Sequence, residues 1–476
     1  PSGLLWVAAA ILPTMSDAPG VSVVWFRDDL RVRDNPAVTA AVDSGLPVVA
    51  LFVLDDESPG IRPLGGAARW WLHHSLEDLA VSLDHLRIPL ILRRGPAATE
   101  VRRVTDAVGA AGVYWNRRYG GAERAVDTSL GLSLRKAGTI VDSHAASLLF
   151  EPWAISTRTG DPYAVFSPFW RACTSGPEPR PPLPAPRVVD RPADVSAVDS
   201  LPLAALALRP VSPDWAGGLR EAWRPGEATA TRMLDDFLAD HVDGYSDTRD
   251  VPSSPTTSRL SPHLRWGEVS PYQVWHAAQE ARGGAARNEG ISRFLTEIGW
   301  REFAWHTLHH FPHLATQNWR GGFDHFPWPT MRPTMLRAWQ EGRTGFGLVD
   351  AGMRELWRTG WMHNRVRMVT ASFLTKNLLI DWRRGEEWFW DTLVDADPAS
   401  NPFNWQWVAG SGADAAPYFR VFNPELQAKK FDPDGAYVRA NVAEWGTEEY
   451  PEPILDLAVS REEALAAYVV VRQIGP

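Results

Sequence analysis

Four short stretches hold residue types that can bind a flat, charged ligand and move charge. The first is Gly244-Tyr245-Ser246-Asp247-Thr248-Arg249-Asp250, followed by Thr256-Thr257-Ser258-Arg259-Leu260-Ser261-Pro262. Hydroxyls, backbone N–H groups and arginines crowded at a helix start suit a pyrophosphate. A plain Ser/Thr-capped helix would read the same way. In the second stretch, Glu297, Trp300 and Arg301 fall at i, i+3 and i+4 and share a helix face. That face could grip a base, stack on it and hold a phosphate, or it could be a surface Glu–Arg pair beside a core indole.

The third stretch repeats the spacing with Asn364, Arg367 and Met368. A buried Arg367 needs a partner, and Asp395, in Asp395-Ala396-Asp397-Pro398-Ala399-Ser400-Asn401, is the natural candidate. Arginines snorkelling from an ordinary helix are the other reading. The fourth stretch, Asn404-Trp405-Gln406-Trp407, closes the same loop with two indoles. No metal site is expected, since His309, His310 and His313 have no acid or cysteine to complete a ligand set. There is no Walker loop, G-x-S-x-G or Ser/His/Asp set either.

Two kinds of element must position these residues. Strand candidates at Val21–Phe26, Pro47–Leu54, Pro89–Leu92, Gly112–Asn116 and Thr139–Val141 alternate with helical patterns near 66–87, 97–110 and 121–137. That alternation predicts an α/β domain over 21–150 with a doubly wound, five-stranded parallel sheet. A Pro- and Ala-rich stretch makes 151–228 an interdomain connection. Long helical patterns then predict an all-α domain over 229–476. Residues 1–20 read as a disordered or adventitious extension, with Met15 as the start.

Composition narrows the class. The chain of 476 residues suits two domains, and its 45% hydrophobic and 22% charged content is that of a globular protein without a membrane span. A single cysteine, Cys173, excludes an internal disulfide framework and a cysteine zinc site, which fits the cytoplasm. The 24 tryptophans exceed what core filling asks for and suggest stacking or redox roles. The net charge of −9 speaks against nucleic acid, but Pro329 to Arg384 carries ten Lys/Arg against four acids, so a basic patch is available.

Together the stretches resemble the photolyase/cryptochrome family, from about Val21 to Tyr468. The opening signature is Val24-Trp25-Phe26-Arg27-Asp28-Asp29-Leu30-Arg31 with Asp34-Asn35. The block from Gly360 through Arg383 and the run Asp414 to Pro424 are similar to bacterial class I dimer photolyases almost residue for residue.

The resemblance implies a folded-back FAD in the helical domain, reduced and anionic when active. Tyr245, Thr257, Ser258, Arg259, Leu260 and Ser261 would line its phosphates. Glu297, Arg301, Asn364, Arg367, Asp395, Asp397 and Asn401 would surround the rest, with Asn401 facing flavin N5. The implied substrate is UV-damaged DNA with a flipped pyrimidine dimer, repaired by an electron from light-excited FAD. Trp300 and Trp407 would wall the lesion, Glu297 and Met368 contact it, and Arg249, Arg365 and Arg420 hold flanking phosphates. Trp405, Trp382 and Trp328 match the family's electron-transfer chain.

Asn364 and Met368 stand where (6-4) photolyases carry histidines, Trp407 is intact unlike in DASH-type members, and Asn401 replaces the Asp of plant cryptochromes. These differences favour a monomeric dimer-repair enzyme, a carbon–carbon lyase, over a blue-light photoreceptor or a (6-4) enzyme. For an antenna, the folate segment keeps only Glu123 beside Ala122, so a deazaflavin is at least as well supported, and an empty site is also open.

Overall fold

The computed structural model describes residues 20–415 and 420–474. Five parallel strands, β1 (Val21–Phe26), β2 (Val48–Leu54), β3 (Leu90–Arg94), β4 (Ala110–Asn116) and β5 (Ile140–His144), form one sheet in the order β3-β2-β1-β4-β5. β1 pairs on both sides, and all residues of β1 and β2 are buried. This explains why β2 is apolar throughout and β1 everywhere but Ser22, because helices cover both faces of such a sheet. The covering helices are α1 (Pro36–Asp43), α2 (Gly66–His85), α3 (Ala97–Ala107) and α4 (Gly121–Lys136). Asn35 caps α1 by accepting from the Val38 N–H, and Pro36 supplies a preset first turn.

Among the described residues no strand follows β5, and the rest of the chain is helical or irregular. Within 151–228 lies α5 (Phe166–Ser175), which packs on α6 (Ala285–His310). Three further helices matter for function: α7 (Asn364–Ser372), α8 (Trp382–Thr392) and α9 (Ser400–Ala409).

The loop after β1 ties the two halves together. Arg31, 1% exposed, donates to the carbonyls of Asp34 and Gly267, while Glu227 accepts from the N–H groups of Val32 and Arg33. Glu268, fully buried, accepts from the Trp71 indole of α2. A buried charge needs such satisfaction, which gives the signature motif a structural purpose.

Two expectations change. Part of the tryptophan excess is core: Trp25, Trp70, Trp71, Trp266, Trp339 and Trp382 are fully buried. Several meet the indole's need for a partner, as Trp266 donates to Val394 O, Trp339 to Thr370 O and Trp390 to Pro63 O. Nor is the positive excess of 329–384 one free patch. Arg354 pairs with Glu444, Arg365 with Asp250, Arg367 with Asp395 and Arg383 with Asp381. Their partners lie mostly outside the segment, so a local sum overstates the exposed charge.

Among the described residues no helix is long and apolar enough to cross a membrane. The expected extension over 1–20 lies, but for Gly20, outside the described residues. His73, His74 and Glu77 of α2 bring potential ligand atoms within 4.8 Å of one another, a grouping the sequence reading passed over.

Candidate functional site

Helices α6, α7, α8 and α9, the loop between the last two, and Arg249 and Ser261 line a cavity of about 460 Å³ in the helical half. On α6, Arg293, Glu297, Trp300 and Arg301 face it, at i, i+4, i+7 and i+8. On α7 the same geometry delivers Asn364, Arg367, Met368 and Ala371, and on α9 it delivers Asn401, Asn404, Trp405 and Val408. The loop between α8 and α9 adds Asp395 and Ala396. The floor is buried, with Asn401, Phe403, Trp405 and Val408, whereas Arg293, Asn364 and Asn404 are exposed at the rim.

Arg367 forms a two-pronged pair with Asp395, at 3.1 and 2.8 Å, and its Nε donates to Met362 O at 2.7 Å. Asp395 is 2% exposed along its side chain, so the pair sits on the cavity wall with only the guanidinium partly open. Asn401 donates from Nδ2 to both the side chain and the carbonyl oxygen of Glu386, at 2.9 and 3.1 Å.

Near the opening, Glu297 lies 2.9 Å from Arg249 and 3.9 Å from Arg293, rather than pairing with Arg301. Burial lifts its carboxyl above the ordinary range, and the two arginines oppose that. Arg301 turns instead to Ser147 O, at 2.8 Å, and toward Glu302. Arg365 pairs with Asp250 at 2.7 Å. His363 begins α7 by accepting from the Arg365 N–H, and burial holds its imidazole down to about 4. Trp300 has one face covered: the Phe166 ring lies 3.8 Å away and 10° from parallel. Trp407, half-buried, and Met368 complete the open side.

Other expected residues lie apart from the walls. Ser261 lines the cavity, but Tyr245 and Leu260 are packed in a neighbouring core, and Arg259 lies between the rings of Trp223 and Trp361. Thr257 and Ser258 are half-buried beside them. Asp397 faces the backbone, accepting from the N–H groups of Ala399 and Ser400 at the start of α9. Arg420 is exposed at the edge of the undescribed run 416–419, and its carbonyl accepts from Lys376. Trp405 is 2% exposed and packs edge-on against Phe389, with Trp382 buried in the same cluster and donating to Asn318. Trp328 packs on that cluster's outside, 4.3 Å from Phe326.

Sequence reasoning missed Phe166, Arg293 and Glu386. Glu386 had a signal: it lies four residues after Trp382 and three before Phe389, on the buried stripe of α8, where a carboxylate is out of place without a partner. Phe166 had none.

A folded-back dinucleotide asks for cations and hydroxyls near its phosphates, apolar walls against its ring and a polar group at the ring edge. Arg301, Arg367, Ser261 and Ser400, then Ala371, Phe389, Leu393, Trp405 and Val408, then Asn401, supply these in one space. The residues fit FAD.

Two family models match the chain: DNA photolyase over residues 22–187, and the FAD binding domain of DNA photolyase over 294–469. It is 47% identical to the deoxyribodipyrimidine photo-lyase of Agrobacterium fabrum, across 95% of this chain and 98% of that one. The chain belongs to the DNA photolyase family. Cryptochrome-1 of Arabidopsis thaliana is also similar, at 39% identity over 88% of this chain and 62% of its own length. Among solved structures, a bacterial class III photolyase from Agrobacterium tumefaciens superposes with a TM-score of 0.91 at 46% identity, covering 97% of this photolyase and 99% of that one. An archaeal photolyase from Sulfolobus tokodaii, solved with two FAD molecules, gives 0.80 at 27% identity, covering 94% and 99%. The class I subtype read from the sequence is therefore not shown, since the solved neighbour at 46% identity is class III.

Proposed function

We propose that this chain is a deoxyribodipyrimidine photo-lyase, a cytoplasmic monomer that repairs cyclobutane pyrimidine dimers in UV-damaged DNA in light. One observation carries the reading: Asn401, the Arg367–Asp395 pair and the indoles of Trp300 and Trp407 share one cavity with an exposed rim and a buried floor. We take 21–150 as the α/β domain, 151–228 as the connection and 229–476 as the helical FAD domain.

FAD, when bound and reduced, supplies a light-excited electron that opens the cyclobutane ring and is then recovered. Arg367, Asp395 and Asn364 would hold the flavin ring, with Asp397 fixing the start of α9 behind them. Asn401 would offer its carboxamide to the ring edge at N5. Arg301 and Ser261 would meet the phosphate end, and Tyr245, Thr257, Ser258, Arg259 and Leu260, which lie apart from the cavity walls, would support that segment from behind. The lesion leaves the duplex, at low cost because damage already weakens its pairing. Trp300 offers its one free face to the flipped bases, and Trp407 lines the same cavity. Glu297, with a raised carboxyl, and Met368 contact the pyrimidine edges.

Arg249 and Arg365 are held by Glu297 and Asp250 without DNA, so they reach flanking phosphates by exchanging one anion for another. Arg420 does so from its exposed loop. Trp405, Trp382 and Trp328 form a path by which the flavin is re-reduced.

The test is illumination of the FAD-loaded protein with an oligonucleotide carrying one thymine dimer. Loss of the dimer in light and not in darkness supports the reading. Flavin photoreduction without dimer loss makes the chain a photoreceptor, and loss of (6-4) products instead changes the substrate.

A further inference from the structure

Arg62 lies between β2 and α2, in the α/β domain, yet its guanidinium reaches into the helical half. It bonds Glu386 with both terminal nitrogens, at 2.7 and 2.9 Å, and lies 4.1 Å over the Trp390 ring. Glu386 is 2% exposed. Its other side-chain contact is Asn401, whose amide nitrogen donates to Glu386 Oε1 and to the Glu386 carbonyl. A carboxamide carries two N–H donors and one acceptor oxygen. Glu386 occupies the amide nitrogen twice, so the end Asn401 leaves for the cavity is its Oδ1. An ionised carboxylate accepts only, and this fixes the amide's sense.

We propose that Arg62 is a positioning residue for the flavin chemistry: a clamp from the α/β domain that holds the Glu386 carboxylate as an acceptor and so keeps the Asn401 oxygen turned toward flavin N5. The inference rests on the reading of Asn401 as the N5-facing residue. Burial pushes the Glu386 carboxyl up, Arg62 is the strongest influence holding it down, Asn401 helps and Glu387 works against them. Without Arg62, a protonated Glu386 gains an O–H donor. One of the two acceptors that hold the Asn401 amide nitrogen is then lost, and only the Glu386 carbonyl still favours its present sense. The acceptor that Asn401 offers to the flavin edge is held less firmly. Reduced flavin, which carries a proton on N5, is the form that suffers.

The experiment measures the midpoint potential of bound FAD in the full-length protein, alongside FAD content. In Arg62→Met the potential moves to a more negative value, corresponding to about a tenfold loss in the relative stability of the reduced form, the size of one hydrogen bond. Arg62→Lys keeps the cation and stays near wild type. The double variant Arg62→Met/Glu386→Gln returns toward wild type, because the neutral amide it introduces offers an oxygen that accepts from Asn401 without a counter-ion. Should Arg62→Met fail to fold, Arg62→Gln carries the same expectation with a smaller shift. Asn401→Ala separates the two ideas. If Asn401→Ala shifts the potential while Arg62→Met or Arg62→Gln leaves it unmoved, the clamp is refuted and the N5 reading stands. If Asn401→Ala itself moves nothing, the N5 reading falls and the clamp with it.

Discussion

Phe166 is the residue on which lesion binding should depend without any contact to the lesion. Its ring covers one face of Trp300 at 3.8 Å, and it also lies 6.3 Å from Trp170 at 13° to that ring, so the three planes are nearly parallel. Phe166 is 7% exposed and belongs to α5, far in sequence from α6. Replacing it with leucine keeps an apolar filler but removes the stack. Aromatic pairs contribute about 0.5–1.5 kcal/mol beyond their buried area, so a modest fall in stability is expected.

The larger consequence is for Trp300, which regains rotamer freedom in the unbound protein. Ordering such a side chain on binding costs about 0.5–1.5 kcal/mol, a loss of about fivefold in affinity for dimer-containing DNA. Trp300→Ala removes a base-stacking surface altogether, worth about 1–3 kcal/mol. The assay is anisotropy of a labelled oligonucleotide in darkness, with and without the dimer, at one salt concentration. Phe166→Leu should weaken only damage-specific binding, and Phe166→Leu/Trp300→Ala should bind no worse than Trp300→Ala. Equal weakening toward undamaged DNA, or additive losses in the double variant, would refute the reasoning.

Other expectations can be checked separately. Trp382→Phe should abolish photoreduction of oxidised FAD but leave repair by chemically pre-reduced enzyme intact, as followed by flavin absorbance and dimer loss. Asp395→Ala strands the Arg367 guanidinium, which is 23% exposed along its side chain. We therefore expect about 1–3 kcal/mol of destabilisation, less than for a fully buried pair, and protein purified with markedly less FAD. Glu302 is 2% exposed, and burial pushes its carboxyl up to about 7 against the pull of Arg301. The folded chain therefore keeps a proton that the unfolded chain has lost between pH 4.5 and about 7. The associated stability is present below that window and is lost as pH rises through about 7, by about 3 kcal/mol at most. Glu302→Gln should remove this slope, raising Tm relative to wild type more above the window than below it.

How much of this was legible in the sequence follows from the range of each interaction. Strands β1, β2 and β4 read clearly because they are central and mostly buried, while β3, at the sheet edge and only partly buried, showed through its short Leu90-Ile91-Leu92 run. The start of β5 was near, but its end at His144 was not, since this edge strand has Ile140 62% exposed and no apolar run to mark it. Helix α1 was overlooked. Its Asn35-Pro36 start was visible, but eight residues are too few for a period to show. Within the site, helix faces were readable because i, i+3 and i+4 is a local relation. The Arg367–Asp395 pair was readable because a buried charge demands a partner. Phe166 against Trp300 and Arg62 against Glu386 join distant parts of the chain, and no local spacing announces them. The subtype was over-read for a different reason. Asn364 and Met368 were weighed against (6-4) enzymes, Trp407 against DASH-type members and Asn401 against plant cryptochromes, so class I was never set against class III.

The claim that one cavity seats both the flavin and a flipped lesion is tested most directly by the fluorescence of the reduced, FAD-loaded protein in a titration with dimer-containing DNA. Electron transfer from the excited flavin to a lesion against its ring should quench that emission in step with binding, and undamaged DNA of the same sequence should leave it unchanged. Emission that persists when dimer-containing DNA is fully bound would mean the lesion never enters the space between Trp300 and Trp407.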